Sequence, residues 1–160
     1  MIRIVAIGKK HESWIVEGVQ RYEKRLKKPH NVEWVLLPHS TQSGLGARQD
    51  ESGRILTRLK SDEFIVLLDE TGEILDSPSL SQLLKTPLYR SQLVTIIVGG
   101  AYGVDESVHR RAAVVWSLSR LVFPHQLVRL ILAEHFSRAQ ETGAGKPSHP
   151  EQFLHRHLKK

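Results

Sequence analysis

The sequence predicts an α/β fold, a mainly parallel sheet flanked by helices. Three observations lead there. Short apolar runs rich in β-branched residues recur at 2–7, 32–37, 64–68, 93–98 and 114–118. A stretch with helical spacing of its apolar residues follows each, and this alternation indicates parallel strands joined by crossover helices. The last two runs end in G-G-A-Y-G at 99–103 and in S-R-L-V-F-P at 119–124. Open α/β sheets place their ligands at such strand ends.

Taken in order, residues 2–7 form a buried strand stopped by Gly8. Residues 12–28 predict a helix with Ile15, Val19, Tyr22 and Leu26 on its apolar stripe. Arg21, Lys24, Arg25 and Lys28 share an adjoining face, either a phosphate-tracking surface or a solvated face with a Glu17–Arg21 pair. Pro29-His30-Asn31 ends that helix before the second strand. Residues 38–47, rich in Ser, Gly, Gln and Thr, read as a mobile loop, and residues 48–60 as a helix carrying Ile55 and Leu59. The third strand is bounded by the turn signal Asp69-Glu70-Thr71-Gly72. Asp76 caps a short helix to about residue 85, with Pro78 in its first turn. The fourth strand runs into the glycine turn, Asp105 caps a short helix carrying Val108, and the fifth strand leads through 119–123 to Pro124. A long apolar helix follows.

At 160 residues the chain fits one domain, residues 1–160, able to bury a core. No cysteine is present, so disulfides, thiolate metal sites and a cysteine nucleophile are excluded. The N-terminus lacks the shape of a signal peptide, and no apolar stretch approaches a membrane span; a cytoplasmic protein without membrane association is expected. The net charge of +6 is unevenly spread. Residues 1–60 hold twelve Lys and Arg against six Asp and Glu, residues 61–112 four against eight, and residues 113–160 seven against three. Basic ends around an acidic middle suit a polyanionic partner such as nucleic acid.

The candidate site collects around the two strand ends. Gly99, Gly100 and Gly103 match neither the dinucleotide fingerprint nor a P-loop; they form a tight turn, or let the backbone approach a flat ligand. The loop Ser119, Arg120, Leu121, Val122, Phe123 and Pro124 offers mainly backbone groups, suited to an adenine edge and ribose, and Leu68 adds an apolar wall. Trp116 reads as core. In the long helix the exceptions to an apolar composition are Arg129, Glu134, His135 and Arg138; Glu134 and Arg138 are spaced for an ion pair, with substrate contact the alternative. His125 either caps the helix or faces the pocket. The tail at 142–160 has a His-x-His but no acidic ligand beside it, and no metal is expected.

Several of these stretches resemble one family. I-R-I-V-A-I-G-K-K with W-I-V-E-G-V-Q-R-Y-E-K-R-L, then L-L-D-E-T-G-E, I-V-G-G-A-Y-G and W-S-L-S-R-L-V-F-P-H-Q-L-V-R are similar to the ribosomal RNA large-subunit methyltransferase H family, within the SPOUT class of knotted methyltransferases. The resemblance implies a deep trefoil knot in a donor-binding region at about 94–141, and a homodimer with its site at the subunit interface. It implies S-adenosylmethionine as methyl donor, held by Leu68, Gly99, Gly100 and the residues 119–124, and no metal. The implied reaction is N3 methylation of a pseudouridine in 23S ribosomal RNA of the assembled ribosome. Members usually end in Tyr-His-Arg or Tyr-His-Lys; here Leu154 stands in the tyrosine position, His155 and Arg156 match, and four residues follow. Ser137-Arg138 occupies the place of a Tyr-Arg pair. The implied catalytic set is therefore His155, Arg156 and Arg138. A knotted methyltransferase acting on another RNA such as transfer RNA, and a non-catalytic ribosome-binding module, are the alternatives.

Overall fold

The computed structural model describes residues 1–144. Five strands, β1 (Ile2–Ile7), β2 (Val32–Leu37), β3 (Phe64–Ile74), β4 (Val94–Val98) and β5 (Val114–Ser117), alternate with five helices. The helices are α1 (Ser13–Glu23), α2 (Gly44–Leu56), α3 (Ser77–Tyr89), α4 (Glu106–Arg111) and α5 (His125–Gly143). The strands form one sheet in the order β2-β1-β4-β3-β5, and every pairing is parallel.

A sheet covered on both faces needs strands that are apolar on both faces, which is why these strands read as continuous apolar runs. Strand periodicity then divides them. Ile2, Ile4 and Ala6 of β1, with Val94, Ile96 and Val98 of β4, face a core completed by Leu80, Leu84 and Leu88 of α3 and by Leu132, Phe136 and Ala139 of α5. The alternate residues Val5, Ile7, Ile65, Leu67 and Ile97 meet Ile55 of α2 and Val108 of α4 on the opposite face. Helix α1 packs outside α5 through Ile15, Val19 and Ala133. Trp116 is buried in the first core, as its sequence context predicts.

The caps follow the sequence. Asp76 accepts from the Ser79 amide, and Asp105 accepts from the Ser107 and Val108 amides. Four boundaries differ. Helix α1 stops at Glu23, so Lys24 to Lys28 form a turn rather than a last helical turn. Helix α2 begins at Gly44, within the stretch expected to be a loop, because Ser43 supplies an extended N-cap position and Ala47 is drawn into the core. Helix α3 continues past residue 85 to Tyr89, with Leu84, Pro87 and Leu88 buried; packing there outweighs the proline. Helix α5 persists to Gly143, beyond the expected start of the tail.

The difference that shapes the site most lies in β3. Strand β3 does not end at Leu68 but continues to Ile74, and Leu68 and Glu73 both lie opposite Trp116 of β5. Residues 69–72 are thus an excursion within the strand, held by Asp69 accepting from the Thr71 amide at 3.0 Å. At its end Gly72 presses on β5: a Cβ there would lie 2.7 Å from the backbone N and C of Trp116. No side chain fits that crossing. Gly72→Ala is expected to destabilise the fold by about 1–3 kcal/mol, the usual cost of overpacking. Urea unfolding checks this, and an unchanged midpoint would show that the two backbones separate freely.

Candidate functional site

The register sets Ala6, Val98, Leu68 and Trp116 level with one another across the four strands β1, β4, β3 and β5. β1, β4 and β5 therefore end along one edge, where β3 makes its excursion, and these segments enclose a cavity of about 810 Å³. Its walls are the β1–α1 segment from Gly8, the excursion at Asp69 and Glu70, the turn 99–101, the loop 117–123, and the first turn of α5. Its size lies within the range of small-molecule sites.

Helix α2 fixes the glycine turn from behind. Arg48 Nε donates to the Tyr102 carbonyl at 2.8 Å, and Ser52 Oγ accepts from the Asp105 amide at 2.9 Å. Glu51 is buried beneath the turn, accepting from the Ser40 amide at 2.9 Å. The turn itself closes with the Gly103 amide donating to the Gly100 carbonyl, and Gly103 takes a positive φ of 75°. Across the cavity, Ser117 Oγ donates to the Ser119 carbonyl and Ser119 Oγ accepts from the Leu121 amide, which curls the loop after β5 without help from a long side chain.

Helix α5 contributes the electrostatics. Arg129 is fully enclosed, donating through Nη1 to the Lys9 carbonyl at 2.6 Å and lying 3.2 Å from His11 Nδ1. Its Nε and Nη2, and His125 Nε2, have no hydrogen-bond partner among the described residues. A Cβ on Gly8, where φ is +143°, would lie 2.9 Å from Arg129 Nη2 and within 3.6 Å of both His125 and His39, so these cationic or basic groups converge behind one glycine. Burial pushes the Arg129 guanidinium below its ordinary value, opposed by Glu12. Burial, then Arg129 and His39, push His125 down, and a hydrogen bond to the Gly99 backbone partly offsets this. Burial and Arg129 do the same to His11. Gln126 Oε1 accepts from the Glu12 amide, so α5 holds the β1–α1 segment at two points.

Of the residues expected to hold a donor, Leu68, Gly99, Gly100, Ser119, Leu121, Val122 and Phe123 line the cavity. Arg120 and Pro124 are outside its lining; Arg120 points to solvent and Pro124 is the N-cap of α5, its carbonyl accepting from Val128. His125 faces the cavity, resolving its two readings. Arg138 is outside the lining and takes the ion-pair reading: its Nε donates to Glu134 Oε1 at 2.7 Å and its Nη2 to the same oxygen, while His135 Nδ1 meets Glu134 Oε2 at 2.7 Å. Burial works against the charge on Glu134, but these partners outweigh it and hold the carboxyl below its ordinary value. His155 and Arg156 lie outside the described residues. Sequence reasoning missed Gly8, Lys9, Lys10, Glu12, His39, Gln126 and the inward role of Arg129. The signal for Gly8 was present, a glycine ending the first strand.

A fold of this order with a cavity built on the last two strand ends defines a class. A family model described as "Predicted SPOUT methyltransferase" matches residues 1–149. The chain is 34% identical over 152 residues to the ribosomal RNA large subunit methyltransferase H of Francisella philomiragia, covering 92% of this chain and 98% of that protein. It is 40% identical over 148 residues to the protein of the same name from Synechococcus sp., covering 92% and 93%, and 37% identical over 158 residues to that of Heliobacterium modesticaldum, covering 92% and 98%. The chain belongs to the ribosomal RNA large subunit methyltransferase H family. A solved methylase family protein from Neisseria gonorrhoeae, 13% identical, superposes with a TM-score of 0.50 over 85% of this chain and 81% of that one, a likeness of fold. Among the described residues no group of His, Cys, Asp and Glu is placed to hold a metal, and no helix is long and apolar enough to cross a membrane.

The lowered histidines give the site a pH signature. The ordinary value is 6.5, and the folded values of His11 and His125 lie below it. Between the two values the unfolded chain binds more protons, so stability rises with pH there and is lost as pH falls below 6.5. The melting temperature is expected to fall as pH drops from about 7.5 to about 5.5, and His125→Gln to flatten that fall. An identical pH dependence in the variant would mean that the His125 environment does not disfavour its charge.

Proposed function

We propose that the chain is an S-adenosylmethionine-dependent methyltransferase acting on N3 of a pseudouridine in 23S ribosomal RNA of the assembled ribosome. The observation that carries this reading is the cavity at the β3 excursion and the ends of β4 and β5 in a chain of this family. Its chemistry fits the donor. Apolar residues from Leu68 to Phe123 surround backbone groups that can read an adenine edge, and the unpartnered Nε and Nη2 of Arg129 and Nε2 of His125 lie along the same wall. S-adenosylmethionine supplies a methyl group already activated by its sulfonium, so the protein's work is alignment and exclusion of water.

The donor-binding residues of the proposal are Leu68, Gly99, Gly100, Ser119, Leu121, Val122 and Phe123, with Arg120 and Pro124 shaping the loop. Leu121 and Val122 are 73% and 87% exposed at the cavity rim. Apolar side chains so placed favour a second copy of the chain covering the site, a homodimer. A knotted path for the C-terminal part follows from membership of the family.

N3 must lose a proton before or during transfer, and a group within reach must take it. His155 is the proposed acceptor or orienting group, with Arg156 and Arg138 proposed to contact RNA phosphate or the uracil oxygens. For Arg138 this requires leaving or sharing Glu134. His155→Ala is expected to abolish methylation while donor affinity stays within about twofold, since binding and proton removal are separate tasks. Full activity in that variant would remove His155 from the mechanism.

The reading as a whole is tested with purified protein, S-adenosylmethionine and ribosomes lacking the modification, followed by mass spectrometry of the RNA nucleosides. N3-methylpseudouridine is the expected product. A methyl group on transfer RNA instead, or donor binding with no transfer to any RNA, would replace it with one of the two alternatives.

A further inference from the structure

The basic turn that follows α1 has no role in the donor cavity. Lys24 to Lys28 leave the helix axis and run beneath the C-terminal end of α5, where Gln140 clamps them: its Nε2 donates to the Arg25 carbonyl at 2.7 Å and its Oε1 accepts from the Lys27 amide at 2.7 Å. The turn, the end of α3 and the end of α5 enclose a second groove of about 400 Å³. It shares no lining residue with the donor cavity. The two sit at opposite ends of α5, whose 19 residues span about 28 Å at 1.5 Å per residue.

Its chemistry is that of a polyanion site. Arg25, Lys27, Lys28 and Lys85 line it, against Glu141 as the one carboxylate among the described residues of the lining. Lys27, Lys28 and Lys85 are exposed and form no ion pair with any described residue. Arg25 lies over the Tyr22 ring at 5.6 Å. Tyr89, 72% exposed, stands at the rim and offers an aromatic face to solvent. Cations that track a backbone beside an exposed ring are the combination by which proteins hold unpaired RNA. The same lysines at a groove for a protein partner would call for an acidic peptide, which gives Tyr89 no comparable task.

We propose that this groove binds backbone phosphates of the RNA substrate through Lys27, Lys28 and Lys85, with an unpaired base stacked on Tyr89. This rests on the reading of the chain as an RNA methyltransferase and adds a second contact roughly one helix length from the donor. It makes recognition depend on the spacing of two RNA segments, a property of a folded substrate rather than of a short strand.

The test uses the full chain and ribosomes lacking the modification, with affinity measured over a series of salt concentrations. Neutralising the three lysines together (Lys27→Gln, Lys28→Gln, Lys85→Gln) is expected to weaken binding about tenfold or more, and to reduce the slope of log affinity against log salt by about 2 for three lost phosphate contacts. Tyr89→Ala is expected to weaken binding about five- to tenfold with the slope unchanged, because stacking releases no counterions. All four side chains are exposed, so melting temperature and donor affinity serve as controls and stay at wild-type values. A triple variant with wild-type affinity and slope, in a protein whose parent methylates the ribosome, overturns the groove alone. A parent chain that neither binds nor methylates ribosomes overturns the groove and the proposed function together.

Discussion

The site depends on a shared register. Because β1, β4, β3 and β5 pair in parallel with Ala6, Val98, Leu68 and Trp116 level, the ends of β1, β4 and β5 and the excursion of β3 fall along one edge. The walls of the cavity descend from that fact. A shift of one residue in any strand would exchange its core faces and move its exit segment, so packing on both faces enforces the geometry of the site. The cavity is held by the same apolar residues that hold the fold.

Two helices then convert an edge into an enclosure. From one face, α2 ties the glycine turn through Arg48, Ser52 and the buried Glu51. From the other, α5 ties the β1–α1 segment through Gln126 and the enclosed Arg129. A guanidinium taken out of water with only part of its donors satisfied is costly to a fold. Its position behind Gly8 places one buried positive charge at the wall of a cavity proposed to hold a ligand with a carboxylate. Stability is given up where binding can recover it.

The long helix α5 also divides labour along its length. Its first turn lines the large cavity, its middle buries Leu132 and Phe136 and carries the Glu134 network, and its last turns support the basic groove through Gln140. A rigid rod of this kind fixes the distance between the cavity and the groove. For a chain of 160 residues, spacing two contacts is an economical way to read the shape of a large RNA.

The sequence by itself determined the order of elements, the parallel sheet, both aspartate caps and much of the cavity wall, because these follow from local periodicity, turn chemistry and motif. Leu68, Gly99, Gly100 and four of the six residues 119–124 could be named from strand ends alone. The tertiary structure decided what depends on neighbours far along the chain. Residues 69–72 have the composition of a terminal turn, yet β5 lies beside them and the strand resumes as an excursion. The short helix expected to end near residue 85 is drawn on by the core through Pro87 to Tyr89. Arg129 and Arg138 are both arginines on one helix, nine positions apart; only packing places one behind Gly8 and the other against Glu134. The turn at Lys24 to Lys28 reads as helix because its spacing is helical, and becomes part of a groove because Gln140, more than a hundred residues away, holds its backbone.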